Sequence, residues 1–175
     1  MKTFREIALG EKEETHGIFS GRFQPVTAAH AKIIEDIGKE NTKGTIFLVK
    51  GKASSKDKDK NPFDTDIQKK MLELVAPKNV NIEIISSGFF VDKLNDMPDN
   101  NFIAYAGSDR ISAYEKFKKY MGEGKTLTIK EIKRTDEDIS ATKVREALKN
   151  KDRKTFNKLT NPKMHKMYDE LIDLV

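Results

Sequence analysis

The chain has 175 residues, 37% hydrophobic and 35% charged, with a formal net charge of +5 from 33 basic and 28 acidic side chains and no cysteine. That length suits one domain with a sizeable core. The composition excludes a disulfide framework and a thiolate metal site, and no apolar run nears the roughly 20 residues a membrane helix needs.

Residues 1–15 read as a polar extension with room for one short helix, its only apolar pattern being Phe4, Ile7 and Leu9. The stretch "MKTFREIALGEKEE" lacks the apolar centre of a secretion signal, so an intracellular, cytoplasmic protein is the default expectation. A first strand is expected at 16–20. "AAHAKIIEDIG" then sets Ile33, Ile34 and Ile37 at helical spacing. "GTIFLVKG" (44–51) is a continuous apolar run, the mark of a strand buried on both faces. "KASSKDKDKNP" (52–62) reads as a charged loop. "FDTDIQKKMLELVAP" is expected as a helix with Ile67, Met71, Leu74 and Val75 on one face, ended by Pro77. "VNIEIISSG" and "NFIAYAGS" are the third and fourth strands. "DRISAYEKFKKYMG" is a helix with Ile111, Tyr114, Phe117 and Met121 inward, and "TLTIKEIKR" is the fifth strand. "SATKVREALKN" opens another helix, and two more follow. The last carries Met164, Met167, Tyr168, Leu171, Ile172 and Val175 on one stripe, which reads as core.

Strands alternating with helices imply crossover connections and a Rossmann-like α/β fold: a doubly wound parallel sheet of about five strands, with C-terminal helices. The expected organisation is an extension over 1–15, one domain over 16–150, and a helical segment of the same domain over 151–175. Ligands of such sheets sit at the carboxyl ends of the strands. Three polar segments fall there: "GRFQPVTAAH" (21–30), "GSD" (107–109) and "ISATKVR" (139–145).

Gly21 permits a sharp exit from the first strand, and Pro25 stiffens the loop. The helix that follows offers free N–H groups to an anion. His30 lies near its first turn, and Arg22 can fork onto phosphate oxygens. Asp138 or Ser140 can cap the later helix, with Thr142 and Arg145 on its first turn. Lys143 and Lys60 are further cations. The edge reads as a polyphosphate site without a protein nucleophile. There is no cysteine, no Gly-x-Ser-x-Gly elbow and no Walker loop. The positive excess favours anionic partners. The 10 Phe and 4 Tyr do not interleave with Lys and Arg in one stripe, which argues against nucleic acid. Asp109 can cap the helix it opens, contact a nucleoside, or do both. His16 and His165 lack metal-ligand spacing, so no metal site made by side chains is expected.

"GRFQPVTAAH" with "ISATKVR" resembles the nucleotidylyltransferase superfamily, whose signature pairs a (H/T)xGH motif with ISxTxxR. The GRFQP form is closest to archaeal-type nicotinamide mononucleotide adenylyltransferases, which "KNPF" (60–63) and "AGSD" (106–109) also resemble. The resemblance implies transfer of an adenylyl group from ATP, with Mg²⁺, to a small phosphate-bearing acceptor. Nicotinamide mononucleotide is the first candidate. It further implies that Arg22, Thr27, His30 and Arg145 are catalytic. Gly21, Phe23, Gln24, Pro25, Gly107, Asp109, Ile139, Ser140 and Thr142 would bind the nucleotide, and Lys60 the acceptor. Family members often oligomerise, so a homo-oligomer is an open expectation. The chain departs from the pattern at Thr27, Ala29 and Gln68. Thr27 is the habit of pantetheine-phosphate enzymes, which keeps that activity, cytidylyl transfer and a non-catalytic nucleotide binder as alternatives. "MKTFREIALGE" also resembles the capsid-targeting peptides of tailed-phage head proteins, which would make the protein phage-encoded and packaged.

Overall fold

A computed structural model describes residues 13–50, 57–133 and 140–175. The sheet has five strands: β1 (His16–Gly21), β2 (Lys43–Val49), β3 (Val80–Ile85), β4 (Asn101–Ala106) and β5 (Thr126–Glu131). Their order is β3-β2-β1-β4-β5 and every pairing is parallel. The chain winds outward from β1 in one direction and then in the other, so the switch point lies between β1 and β4. β1 pairs with β4 only over His16–Ile18, although β4 continues to Ala106. The two strands part above that level.

The helices are α1 (Ala28–Glu40), α2 (Thr65–Val75), α3 (Val91–Asp96), α4 (Ser108–Phe117), α5 (Ala141–Lys149), α6 (Arg153–Leu159) and α7 (Tyr168–Ile172), with 3₁₀ turns at Lys118–Tyr120 and Pro162–Met167. β2 is buried along its centre, and its alternate residues feed two cores. Ile46 and Leu48 face the larger cluster, with Ile34 of α1, Met71 of α2, Val144 of α5 and Phe156 of α6. Phe47 faces the smaller one, with Phe90, Leu94 of α3, Phe102 and Tyr114 of α4. The C-terminal stripe is core: Met164, Met167, Tyr168 and Leu171 are buried in the larger cluster.

Four local features differ from the sequence expectation. The third strand stops at Ile85 and is followed by the short helix α3, whose buried Val91 and Leu94 are too few to declare a period. The fourth helix passes into a 3₁₀ turn at Lys118. The last helix begins as the 3₁₀ turn Pro162–Met167. On α2 the buried face is Gln68, Met71, Leu72 and Val75, with Ile67 and Leu74 only partly covered. The readings placed on residues 1–12, including most of the extension and the capsid-peptide resemblance, lie outside the described residues, as do residues 52–56 of the 52–62 loop.

At the end of the sheet opposite its carboxyl edge, Gly17 and Gly44 are cross-strand partners. A Cβ at either would stand 2.7 or 2.5 Å from Cγ2 of Ile37, so α1 rests on the sheet through two absent side chains. Nearby, His16 is 5% exposed. Its Nε2 is 2.7 Å from Thr45 Oγ1, and its Nδ1 lies 3.2 Å from Asp99 Oδ2, while Asp99 Oδ1 pairs with Lys43 at 2.9 Å. Burial holds the His16 imidazole below its ordinary pKa, against the pull of Asp99. The unfolded chain therefore takes up this proton more readily than the folded one. Stability is expected to fall as pH drops below about 6.5, by at most about 1.4 kcal/mol per pH unit. Urea unfolding at pH 7.5 and 5.5, compared with His16→Asn, checks this; equal pH slopes in the two proteins would remove His16 as the cause.

Candidate active site

Three loops meet where β1 and β4 part. Phe23 holds a left-handed backbone (φ 47°), unusual for a side-chain-bearing residue, and Gln24–Pro25 is a cis peptide. The loop is pinned from below. Gln68, 6% exposed, donates its amide to Arg22 O and to Phe23 O (3.4 Å). The Gln24 side chain donates to Phe63 O (2.8 Å) and accepts from Phe63 N–H (3.0 Å). Gln24's own carbonyl accepts from Arg145 at 2.7 Å. The glutamine of GRFQP thus spends its amide on the 60–65 segment and its carbonyl on α5.

Thr27 caps α1, accepting from His30 N–H (3.3 Å), while Thr27 N–H donates to His30 Nδ1 (3.1 Å). A neutral His30 therefore carries its proton on Nε2. Its ring meets Phe23 edge-on at 5.0 Å and Phe19 at 6.2 Å. Ser140 caps α5 by accepting from Lys143 N–H at 3.3 Å. Arg145 donates a second hydrogen bond to Thr142 Oγ1 at 3.3 Å. Burial, and then the neighbouring Arg22, push the Arg145 guanidinium below its ordinary value; it remains charged at any physiological pH. Lys60 sits on a turn closed by Asp57, whose carboxylate accepts from the N–H groups of residues 59 and 60.

These groups enclose a cavity of about 360 Å³. Of the residues singled out in the sequence, Gly21, Arg22, Phe23, Gln24, His30, Lys60, Gly107, Thr142 and Arg145 line it. Thr27, Pro25 and Ser140 are not among the residues that line it. Asp109 lines a different hollow, of about 890 Å³, between Phe89, Asp92, Phe117 and Tyr120. Ile139 lies outside the described residues. Ser20, Asn61 and Arg110 also line the first cavity and were not anticipated. Arg110 directly follows "GSD", which was the available signal; Ser20 gave none.

The charge is one-sided. Arg22, Lys60, Arg110 and Arg145 all face the cavity, and among the described residues no carboxylate lines it. Among the described residues none of the four makes an ion pair, whereas nine lysines elsewhere on the chain do. The first turns of α1, α4 and α5 add their N–H groups and the positive ends of their dipoles. Such a cavity takes a polyanion. Its lining suits phosphate oxygens rather than a bare cation, and no cluster of three or more His, Asp or Glu side chains that could hold a metal occurs among the described residues.

Comparison with known proteins agrees with this geometry. The chain is similar in structure to a bifunctional NMN adenylyltransferase/ADP ribose pyrophosphatase from Francisella tularensis, solved with AMP and a Mn ion. The TM-score is 0.66 at 18% identity, covering 92% of this chain and 50% of that one. A Plasmodium falciparum nicotinic acid mononucleotide adenylyltransferase solved with NaAD gives 0.63 at 14% identity, covering 93% and 99%. The NadR protein in complex with NR gives 0.63 at 15% identity, covering 87% and 44%. The chain thus spans half of the Francisella protein and nearly all of the Plasmodium one. At these identities the likeness establishes the Rossmann-like fold. No curated protein matches the sequence. No helix among the described residues is long and apolar enough to cross a membrane. The model of the family described as Cytidylyltransferase-like matches residues 18–147, from the first strand through Arg145, and the chain belongs to that family.

Proposed function

We propose that the protein transfers an adenylyl group from ATP to a small phosphate-bearing acceptor, nicotinamide mononucleotide first among them, and releases pyrophosphate. The observation that carries this reading is the cavity lined by Arg22, Lys60, Arg110, Arg145 and His30. A phosphate oxygen of the acceptor attacks the α-phosphorus, the bond to the bridging oxygen of the β-phosphate breaks, and pyrophosphate leaves with that electron pair. No protein nucleophile is needed; the work is positioning and charge stabilisation. Arg145, braced by Gln24 and Thr142, and Arg22 hold the β- and γ-phosphates, and His30 Nε2–H reaches a phosphate oxygen from the start of α1. Thr27 and Ser140 fix the two helix starts, while Gly107 brings the backbone close to the nucleoside. Lys60 and Arg110 flank the acceptor. A Mg²⁺ held by the phosphate oxygens would neutralise charge on the leaving group.

The choice of acceptor is supported by the neighbours, the Francisella protein being an NMN adenylyltransferase and the Plasmodium protein a nicotinic acid mononucleotide adenylyltransferase. The family's description keeps CTP as the alternative nucleotide. Pyrophosphate release with Mg²⁺ is the test, crossing ATP and CTP with nicotinamide mononucleotide, phosphopantetheine and glycerol phosphate. Turnover of ATP with nicotinamide mononucleotide supports the proposal. Turnover only with CTP, or only with another acceptor, replaces that half of it. Silence throughout, with ATP still raising the melting temperature, makes the protein a nucleotide binder and overturns the enzymatic reading.

A further inference from the structure

Ser20, the next-to-last residue of β1, is 5% exposed, lines the cation cavity, and its Oγ has no hydrogen-bond partner among the described residues. Burying a hydroxyl without a partner is costly. Its neighbours give it a direction. Side chains alternate along β1: Ile18 belongs to the core under α3 and α4, and Phe19 packs against the opposite one, so Ser20 faces the α3 and α4 side. β1 has already parted from β4 at this level, which opens the strand edge to the cavity. The groups proposed for the triphosphate lie on the other side: His30 on α1 and Arg145 on α5, both helices of the larger core.

We infer that the Ser20 hydroxyl is a substrate contact, hydrogen-bonding a polar atom of the phosphate-bearing acceptor on the α3 and α4 side of β1. The inference rests on the proposed adenylyl transfer and deepens it. Ser20 separates the two substrates: the acceptor meets its hydroxyl, and the nucleotide does not. The hydroxyl gains in the complex a partner that no described residue supplies, so its contribution appears in acceptor affinity and not in the stability of the empty fold.

Steady-state kinetics of wild type and Ser20→Ala, run with ATP against nicotinamide mononucleotide, phosphopantetheine and glycerol phosphate, test this. Ser20→Ala is expected to raise KM for the acceptor that wild type uses by about tenfold. KM for ATP should stay unchanged, and the ligand-free protein should melt no lower than wild type. Ser20→Cys, close in size and a weak donor, is expected to follow the alanine variant. Equal acceptor KM in wild type and both variants, or a rise in KM for ATP instead, would overturn the assignment while leaving adenylyl transfer intact. Wild type silent with all three acceptors would end both.

Discussion

Arg145→Ala is expected to lower turnover by about 10²–10³-fold, with little change in folding stability. The guanidinium is held at two points, by Gln24 O at 2.7 Å and Thr142 Oγ1 at 3.3 Å. That leaves its remaining N–H groups to the cavity, already oriented before any ligand arrives. A charge fixed in this way stabilises a leaving pyrophosphate without paying for its own reorganisation. The folded state loses one hydrogen bond to a backbone carbonyl, about 1 kcal/mol, and is relieved of repulsion from Arg22. Pyrophosphate release under saturating substrates, with a melting curve beside it, makes the measurement. Wild-type turnover in the variant would remove Arg145 from the chemistry.

Gln24→Ala is expected to be costly twice over. Its buried amide satisfies both the N–H and the C=O of Phe63. Its loss leaves two buried backbone groups without partners, about 2–5 kcal/mol in total. The same residue ties the β1–α1 loop to the 60–65 segment and, through its carbonyl, to Arg145. Turnover should therefore fall even at temperatures where the variant is fully folded. Gln24→Glu keeps the acceptor for Phe63 N–H but not the donor, and is expected to lie between wild type and alanine. Urea unfolding reads the first effect and single-temperature kinetics the second. A stability change below about 0.5 kcal/mol would mean that the tie to Phe63 is not made in solution.

The fold was largely legible because its signals were long and periodic. The run at 44–51 announced a buried central strand, and the alternation of elements announced parallel pairing. Helix α3 was not legible: six residues with two buried positions carry no period, and Phe90 offers no side-chain cap. In the site, the residue types were visible but their division of labour was not. Gln24 and Thr27 sit inside the phosphate motif, yet the first clamps a neighbouring segment and the second orients His30. Gln68 departs from the family pattern, and it is buried beneath the loop holding two carbonyls rather than facing the cavity. The ties of Gln24 and Gln68 run across 39 to 46 positions of sequence, which no local pattern encodes, whereas Thr27 reaches His30 only three positions away. Ser20 was invisible for the same reason, since its significance is a missing partner.

The pair Gly17 and Gly44 shows how far from the chemistry the site can be disturbed. Both lie where the sheet begins, beneath Ile37, at the opposite end of α1 from Thr27 and His30. A methyl group at either position would have to lift the helix or tilt it, and a rigid rod lifted at one end moves at the other. Drift in this sequence is thus constrained at two positions that touch no substrate. A survey that ranked residues by distance from the cavity would judge both freely replaceable, although the placement of the catalytic imidazole is hinged on them.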